Sequence, residues 1–151
     1  MAARYFALMS GLAYLLVGVL GFIPGLVGMP YAAPELAVGA GFGYLFGLFP
    51  INVLHNLVHL GVGVWGLASY PRYESAQTFS KGLAVFYGLL AIMGLIPVLN
   101  TTFGLIPIYS HDIWLHAVTA LLAGIVGFAV PNNPAAKVED RIAAGTGTHG
   151  Q

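Results

Sequence analysis

Four apolar runs divide this chain, at about 5–27, 44–69, 83–99 and 113–130. Runs of about 18 or more apolar residues read as membrane-crossing helices. The segment 28–43 between the first two, with Pro30, Pro34 and four glycines, reads as a loop or a short interfacial helix. The stretch 69–80, carrying Arg72, Glu74 and Gln77, reads as a polar connection, and 99–112 as a turn region. The pattern therefore predicts a four-span transmembrane domain over 1–131. Beyond it, 132–151 holds Lys137, Glu139, Asp140 and Arg141 and then Gly145-Thr146-Gly147-Thr148, and reads as a polar, disordered tail that includes a solvated His149.

Charge supplies the orientation. Arg4 precedes the first run, Arg72 and Lys81 lie between the second and third, and Lys137 and Arg141 follow the fourth. With four spans these three basic segments share one side, which the positive-inside rule makes cytoplasmic, along with both termini. The connections around Glu35 and Asn100 then face outward. The first run is longer than the apolar stretch of a cleaved signal peptide and is read as retained, despite the small residues near Tyr31-Ala32-Ala33.

Composition narrows the function classes. The chain is 58% hydrophobic and 7% charged, with mean hydropathy +0.86. A soluble domain carries about 25% charged residues, so this chain cannot cover a water-facing surface. Five basic and five acidic residues cancel, and no basic patch suits nucleic acid. The absence of cysteine excludes disulfides, thiolate chemistry, iron–sulfur ligation and c-type haem attachment.

The runs repeat. Placing Phe6 on Phe79 aligns Tyr14 with Tyr87 and Gly21-Phe22-Ile23-Pro24 with Gly94-Leu95-Ile96-Pro97. In the second halves, Gly47-Leu48-Phe49-Pro50-Ile51 matches Gly104-Leu105-Ile106-Pro107-Ile108, which carries His59 onto His116 and His55 onto Asp112. The fold class expected is all-α: an integral membrane four-helix bundle of two tandem helical hairpins. A pseudo-two-fold axis along the membrane normal would relate them.

Candidate chemistry concentrates in Asn52, His55, Asn56 and His59, and in Asp112 and His116, with His111 nearby. His55 and His59 are one helical turn apart, as are Asp112 and His116. At about 1.5 Å per residue, His59 and His116 lie roughly 13 Å inward of their prolines, near mid-membrane. Ionisable residues at that depth face the bundle interior and mark function by default.

Three readings stand open. His55, His59, His116 and Asp112 could ligate a divalent metal. Alternatively, His59 and His116 could be axial ligands of a b-type haem, or one could hold a chlorophyll magnesium. Glycines at 61, 63 and 66 facing Ala117, Ala120, Ala123 and Gly124 would make room for that macrocycle. Or the polar groups simply bond across helices, at about 0.6–2 kcal/mol each. Asn52 and Asn56 are expected to orient imidazoles.

Other patterns carry less. Gly61-Val62-Gly63-Val64-Trp65-Gly66 mimics a dinucleotide fingerprint but sits inside an apolar run with no strand before it. No Glu stands beside His55 to act as the base of a hydrolytic zinc motif. Asn100-Thr101-Thr102 is a formal glycosylation sequon, better read as a turn or cap. Gly43 with Gly47, and Ala120 with Gly124, read as close helix contacts. Trp65, Trp114 and the tyrosines near span ends read as anchors or packing.

The run Tyr44-Leu45-Phe46-Gly47-Leu48-Phe49-Pro50-Ile51-Asn52-Val53-Leu54-His55-Asn56-Leu57-Val58-His59-Leu60, together with Asn100-Thr101, Gly104, Pro107, Asp112 and Leu115-His116, resembles a bacterial family of four-span membrane proteins. The family is catalogued as domain of unknown function 4383. The resemblance extends to about Val130 and implies a bacterial inner or thylakoid membrane. It covers His55, Asn56, His59, Asp112 and His116 but not His111. It implies no activity.

The leading expectation is a small polytopic membrane protein whose His/Asn/Asp cluster binds a metal or tetrapyrrole. The rival is an accessory or scaffold subunit of a larger respiratory or photosynthetic complex, with partner membrane subunits and a structural cluster. An enzyme ranks third, because short loops offer no catalytic domain.

Overall fold

A computed structural model describes residues 1–29 and 34–130. The tail at 132–151 and the tripeptide Tyr31-Ala32-Ala33 lie outside the described residues. Four α-helices dominate: α1 (Ala2–Leu20), α2 (Val53–Ser69), α3 (Tyr73–Gly94) and α4 (His111–Gly124). A π-helical turn, Ile125–Ala129, extends α4. Three helical segments, Ala2–Leu20, Tyr73–Gly94 and His111–Ala129, are long and apolar enough to cross a membrane. Their outward faces carry large exposed hydrophobics such as Leu16, Val85, Leu89, Leu121 and Phe128, as a bilayer-facing surface requires. This is a membrane protein. α2 is apolar but has 17 residues, and at about 1.5 Å per residue it reaches roughly 25 Å.

The element boundaries depart from the apolar runs, each for a local reason. The run 44–69 is not one helix. Its first third forms β2 (Gly43–Leu45) and β3 (Phe49–Ile51), which pair antiparallel with each other and with β1 (Val27–Gly28) in the order β1-β2-β3. Pro50 sits in the edge strand β3, where a missing N–H costs no ladder bond. Helix starts only at Val53, because Asn52 caps it: the carboxamide oxygen accepts from the backbone N–H of His55 at 2.9 Å. Gly43 and Gly47 belong to this sheet and its turn rather than to a helix contact. The described part of 28–43 contains no interfacial helix. Conversely, the polar segment 69–80 is mostly helix, since α3 begins at Tyr73 and buries Ala76, Gln77, Phe79 and Ser80. Polarity there marked the helix start, with Glu74 in the first turn.

α1 packs chiefly on α2, and α3 on α4, so the molecule is two antiparallel hairpins. The duplication is visible in the backbone. Phe46 and Gly47 adopt φ of 53° and 72°, and their repeat mates Phe103 and Gly104 adopt 59° and 83°. Non-glycine residues rarely take that conformation. Both halves thus turn the chain the same way before Pro50 and Pro107, which are both fully buried. The turn at Asn100–Ile106 is tied by threonine hydroxyls: Thr102 donates to the Ile106 carbonyl at 2.9 Å, and the Gly104 N–H donates to Thr101 at 3.1 Å. The sequon is therefore a turn.

At the opposite end, Arg4 donates to the Tyr70 carbonyl at 2.9 Å and lies 5.0 Å over its ring, closing the first hairpin. Among the described residues Arg4, Arg72 and Lys81 all lie toward this end of the bundle, while Glu35 and Asp112 lie toward the sheet end. A small-residue core of Ala3, Ala7, Ala76 and Ala123 around Phe79, Leu83 and Tyr87 fills the half nearer the basic end. The polar cluster lies on the sheet side of this core.

Candidate metal and ligand site

The cluster is built by the repeat. His55 and His59 project from one face of α2, and Asp112 and His116 from the matching face of α4, all with 8% or less of their surface exposed. His55, Asp112 and His116 each offer one ligand atom, and these atoms lie within 4.8 Å of one another. His55 Nδ1 lies 3.9 Å from Asp112 Oδ2, beyond hydrogen-bond range. Nδ1 of His55 donates to the Pro50 carbonyl at 3.1 Å. A carbonyl only accepts, so Nε2 of His55 keeps its lone pair. The β3 proline thus orients the ring through its own backbone, a role that a metal ligand's outer partner commonly fills.

Five atoms in this region are buried without a hydrogen-bond partner: Nδ1 of His59, Nδ1 of His116, Oδ2 of Asp112 and both carboxamide atoms of Asn56. An unpaired buried polar group costs about 1–3 kcal/mol. The arrangement therefore does not behave as a satisfied cross-helix network, in which each donor would meet an acceptor.

His59 stands beside the three-residue set. Its ring centroid lies 4.5 Å from that of His55 and 5.4 Å from that of Tyr14. Tyr14 in turn lies 5.4 Å from Tyr87, and Tyr87 lies 5.0 Å from His116. The repeat-related tyrosines therefore pack against each other and against one histidine each. Their matched mid-helix positions were the available signal in the sequence. Of the glycines expected to make room for a macrocycle, Gly61 meets open space. Gly63 and Gly66 face Leu15, Gly11 and Ala7 of α1, not α4, and Gly124 faces Ala84 of α3. Gly63, Gly66 and Gly124 serve helix contact within each hairpin.

Among the described residues neither asparagine carboxamide bonds an imidazole. Besides capping α2, Asn52 donates to the carbonyls of Val38 and Leu105 at 2.8 and 2.7 Å, joining the loop of one half to that of the other. Asn56 instead fills the space left by Gly21, where an added Cβ would collide with its carboxamide. His111 stands apart, exposed at the start of α4, where Ser110 Oγ lies 3.3 Å from its Nδ1 and Phe49 packs 6.1 Å from its ring. On that side of the fold, burial and the hydrogen bond to Tyr44 raise the Tyr109 phenol above its ordinary range.

Two clefts flank the cluster. One, about 220 Å³, is lined by His55, His59, Tyr87 and His116 with Leu90 and Ile108. The other, about 230 Å³, lies between α1 and α4 with His59 at its inner wall.

Comparison of the chain with curated proteins and with solved structures finds no match. A family profile described as "Domain of unknown function (DUF4383)" matches residues 4–129. That span takes in α2, α3, α4, all but the first two residues of α1 and every residue of the cluster, so the chain belongs to the DUF4383 family.

Proposed function

We propose that this protein binds a divalent transition-metal ion inside the membrane through His55, Asp112 and His116. The observation that carries the reading is the convergence of two imidazoles and one carboxylate from two helices, with Asp112 Oδ2 and His116 Nδ1 buried and unpaired. An ion would satisfy these atoms, whereas an isolated buried carboxylate is strongly disfavoured. Two histidines and a carboxylate suit zinc, iron or manganese. Tetrapyrrole binding is disfavoured by the packing of Tyr14 against His59 and of Tyr87 against His116, where a macrocycle held by those histidines would lie.

Metal analysis and an absorption spectrum of the detergent-purified chain test the proposal. About one divalent ion per chain is expected, with no Soret band, and Asp112→Ala and His116→Ala each abolish retention. A folded, metal-free protein that co-purifies within a large complex in mild detergent would overturn it in favour of the scaffold role.

The same reading places the chain in a bacterial inner or thylakoid membrane with four spans. In it α2 crosses as the fourth span and the sheet covers its outer end. The basic residues at one end of the bundle make that end cytoplasmic. Reporters fused at the C-terminus should be active only on the cytoplasmic side; activity on the outer side would reject this topology.

A further inference from the structure

The duplication relates the two clefts residue by residue, and they have diverged. Under the repeat, Phe6, Ala13, Tyr14 and Val17 of the α1/α4 cleft correspond to Phe79, Phe86, Tyr87 and Leu90, and Leu115 corresponds to Val58. Beyond Ala13 standing where the other cleft has Phe86, the difference lies in the half nearer the basic end. There the α1/α4 cleft presents Ser10, Thr119 and Leu122. Their mates are Leu83, Val62 and Trp65. Trp65 packs edge-on against Phe79 at 4.9 Å and covers Gly82, and Leu83 is fully buried, so that half of the α2/α3 cleft is closed. The α1/α4 copy stays open and keeps its hydroxyls. Tyr14 stands beside Thr119 there, and His59, 92% buried with Nδ1 unpartnered, forms the inner wall.

Within a bilayer, apolar contact alone discriminates little, because lipid tails are as apolar as the cleft. Hydrogen bonds in a water-excluded setting therefore supply the recognition. We infer that the α1/α4 cleft binds a lipid-soluble molecule with a compact apolar body and an oxygen head, carbonyl or hydroxyl, bonded by His59 and the Ser10, Tyr14 and Thr119 hydroxyls. Phe6, Ala13, Val17, Leu115 and Leu122 hold the body. This site stands independently of the metal, since none of the three proposed ligands lines the cleft.

Equilibrium dialysis of the full chain in detergent, against matched protein-free micelles, provides the test. The probes are 2-methyl-1,4-naphthoquinone, 1-naphthol and naphthalene. One equivalent of at least one oxygenated probe should bind above the micelle background, and naphthalene should not. Binding of the quinone alone assigns a carbonyl head, and of the naphthol alone a hydroxyl head. Replacing the polar pair by its repeat mates, Ser10→Leu with Thr119→Val, should weaken binding at least tenfold. Val17→Phe, which fills the cleft without altering a polar group, should also abolish it and serves if the double variant does not fold. Leu90→Phe in the other cleft should leave binding unchanged. Naphthalene binding as well as the oxygenated probes, no probe binding above background, or folded variants that bind like the parent would each overturn the inference. Metal content measured in parallel keeps its failure distinct from failure of the metal site.

Discussion

The two hairpins share a backbone plan yet solve their helix contacts in opposite ways. In the first, Gly11, Gly63 and Gly66 bring α1 and α2 so close that a Cβ added at Gly66 would lie 2.8 Å from the Gly11 Cα and 2.9 Å from the Ala7 carbonyl. In the second, alanine replaces each glycine: Ala84, Ala120 and Ala123 are the mates of Gly11, Gly63 and Gly66. The partners change to match. Leu15 and Leu67, which face Gly63 and Gly11, become Gly88 and Gly124, where an added Cβ would lie 3.9 and 3.8 Å from the Ala120 and Ala84 methyls, an ordinary contact. Small and large residues have exchanged sides. The contrast shows that what the fold requires is one small residue per contact, not a particular helix to carry it.

That contrast can be broken most forcefully at Gly66. Gly66→Ala sets new side-chain volume against backbone, which cannot move aside, and should cost about 3 kcal/mol or prevent folding. Gly124→Ala, facing only an alanine methyl, should change stability by less than about 0.5 kcal/mol. Thermal or SDS-induced unfolding of the purified variants reads both, and equal losses would reject the difference between the hairpins. A middle-sized effect is expected at Asn52, which caps α2 and links both loops. Asn52→Ala removes the cap and two further bonds and should cost about 2 kcal/mol in the same assay. Its repeat mate, Tyr109, makes one side-chain bond, 3.2 Å to the Tyr44 hydroxyl. Tyr109→Phe should cost about 0.5–1 kcal/mol. If Tyr109→Phe proved the more damaging, the asymmetric role assigned to the two loops would be wrong.

Much of this architecture was readable beforehand. Apolar run length and the clustering of Lys and Arg gave the helices and their basic end, because a bilayer constrains both directly. The paired Gly-x-Ile-Pro and Gly-Leu-x-Pro-Ile segments signalled the duplication, and the backbone carries it in matched left-handed turns. The polar stripe located the cluster, since a four-residue step fixes a shared helix face. The sheet was not readable. Tyr44-Leu45-Phe46-Gly47-Leu48-Phe49 is as apolar as a span, and hydropathy does not separate a buried strand from a buried helix. The partners of the asparagines were not readable for a related reason: a carboxamide near a histidine in sequence can turn to backbone or to another helix.

The order of residues therefore determined that this chain enters a membrane, that it is built twice over, and that its ionisable groups stand at corresponding positions of the two halves. These are one-dimensional properties of hydropathy, charge and spacing. Only the folded arrangement decided which three groups converge and that His59 stands beside them facing a cleft. It also decided that Trp65 closes the half of one cleft nearer the basic end, while the matching half of the other stays open. Such choices depend on helix rotation and on side-chain volume meeting across hairpins, and both are set by packing between residues far apart in the chain.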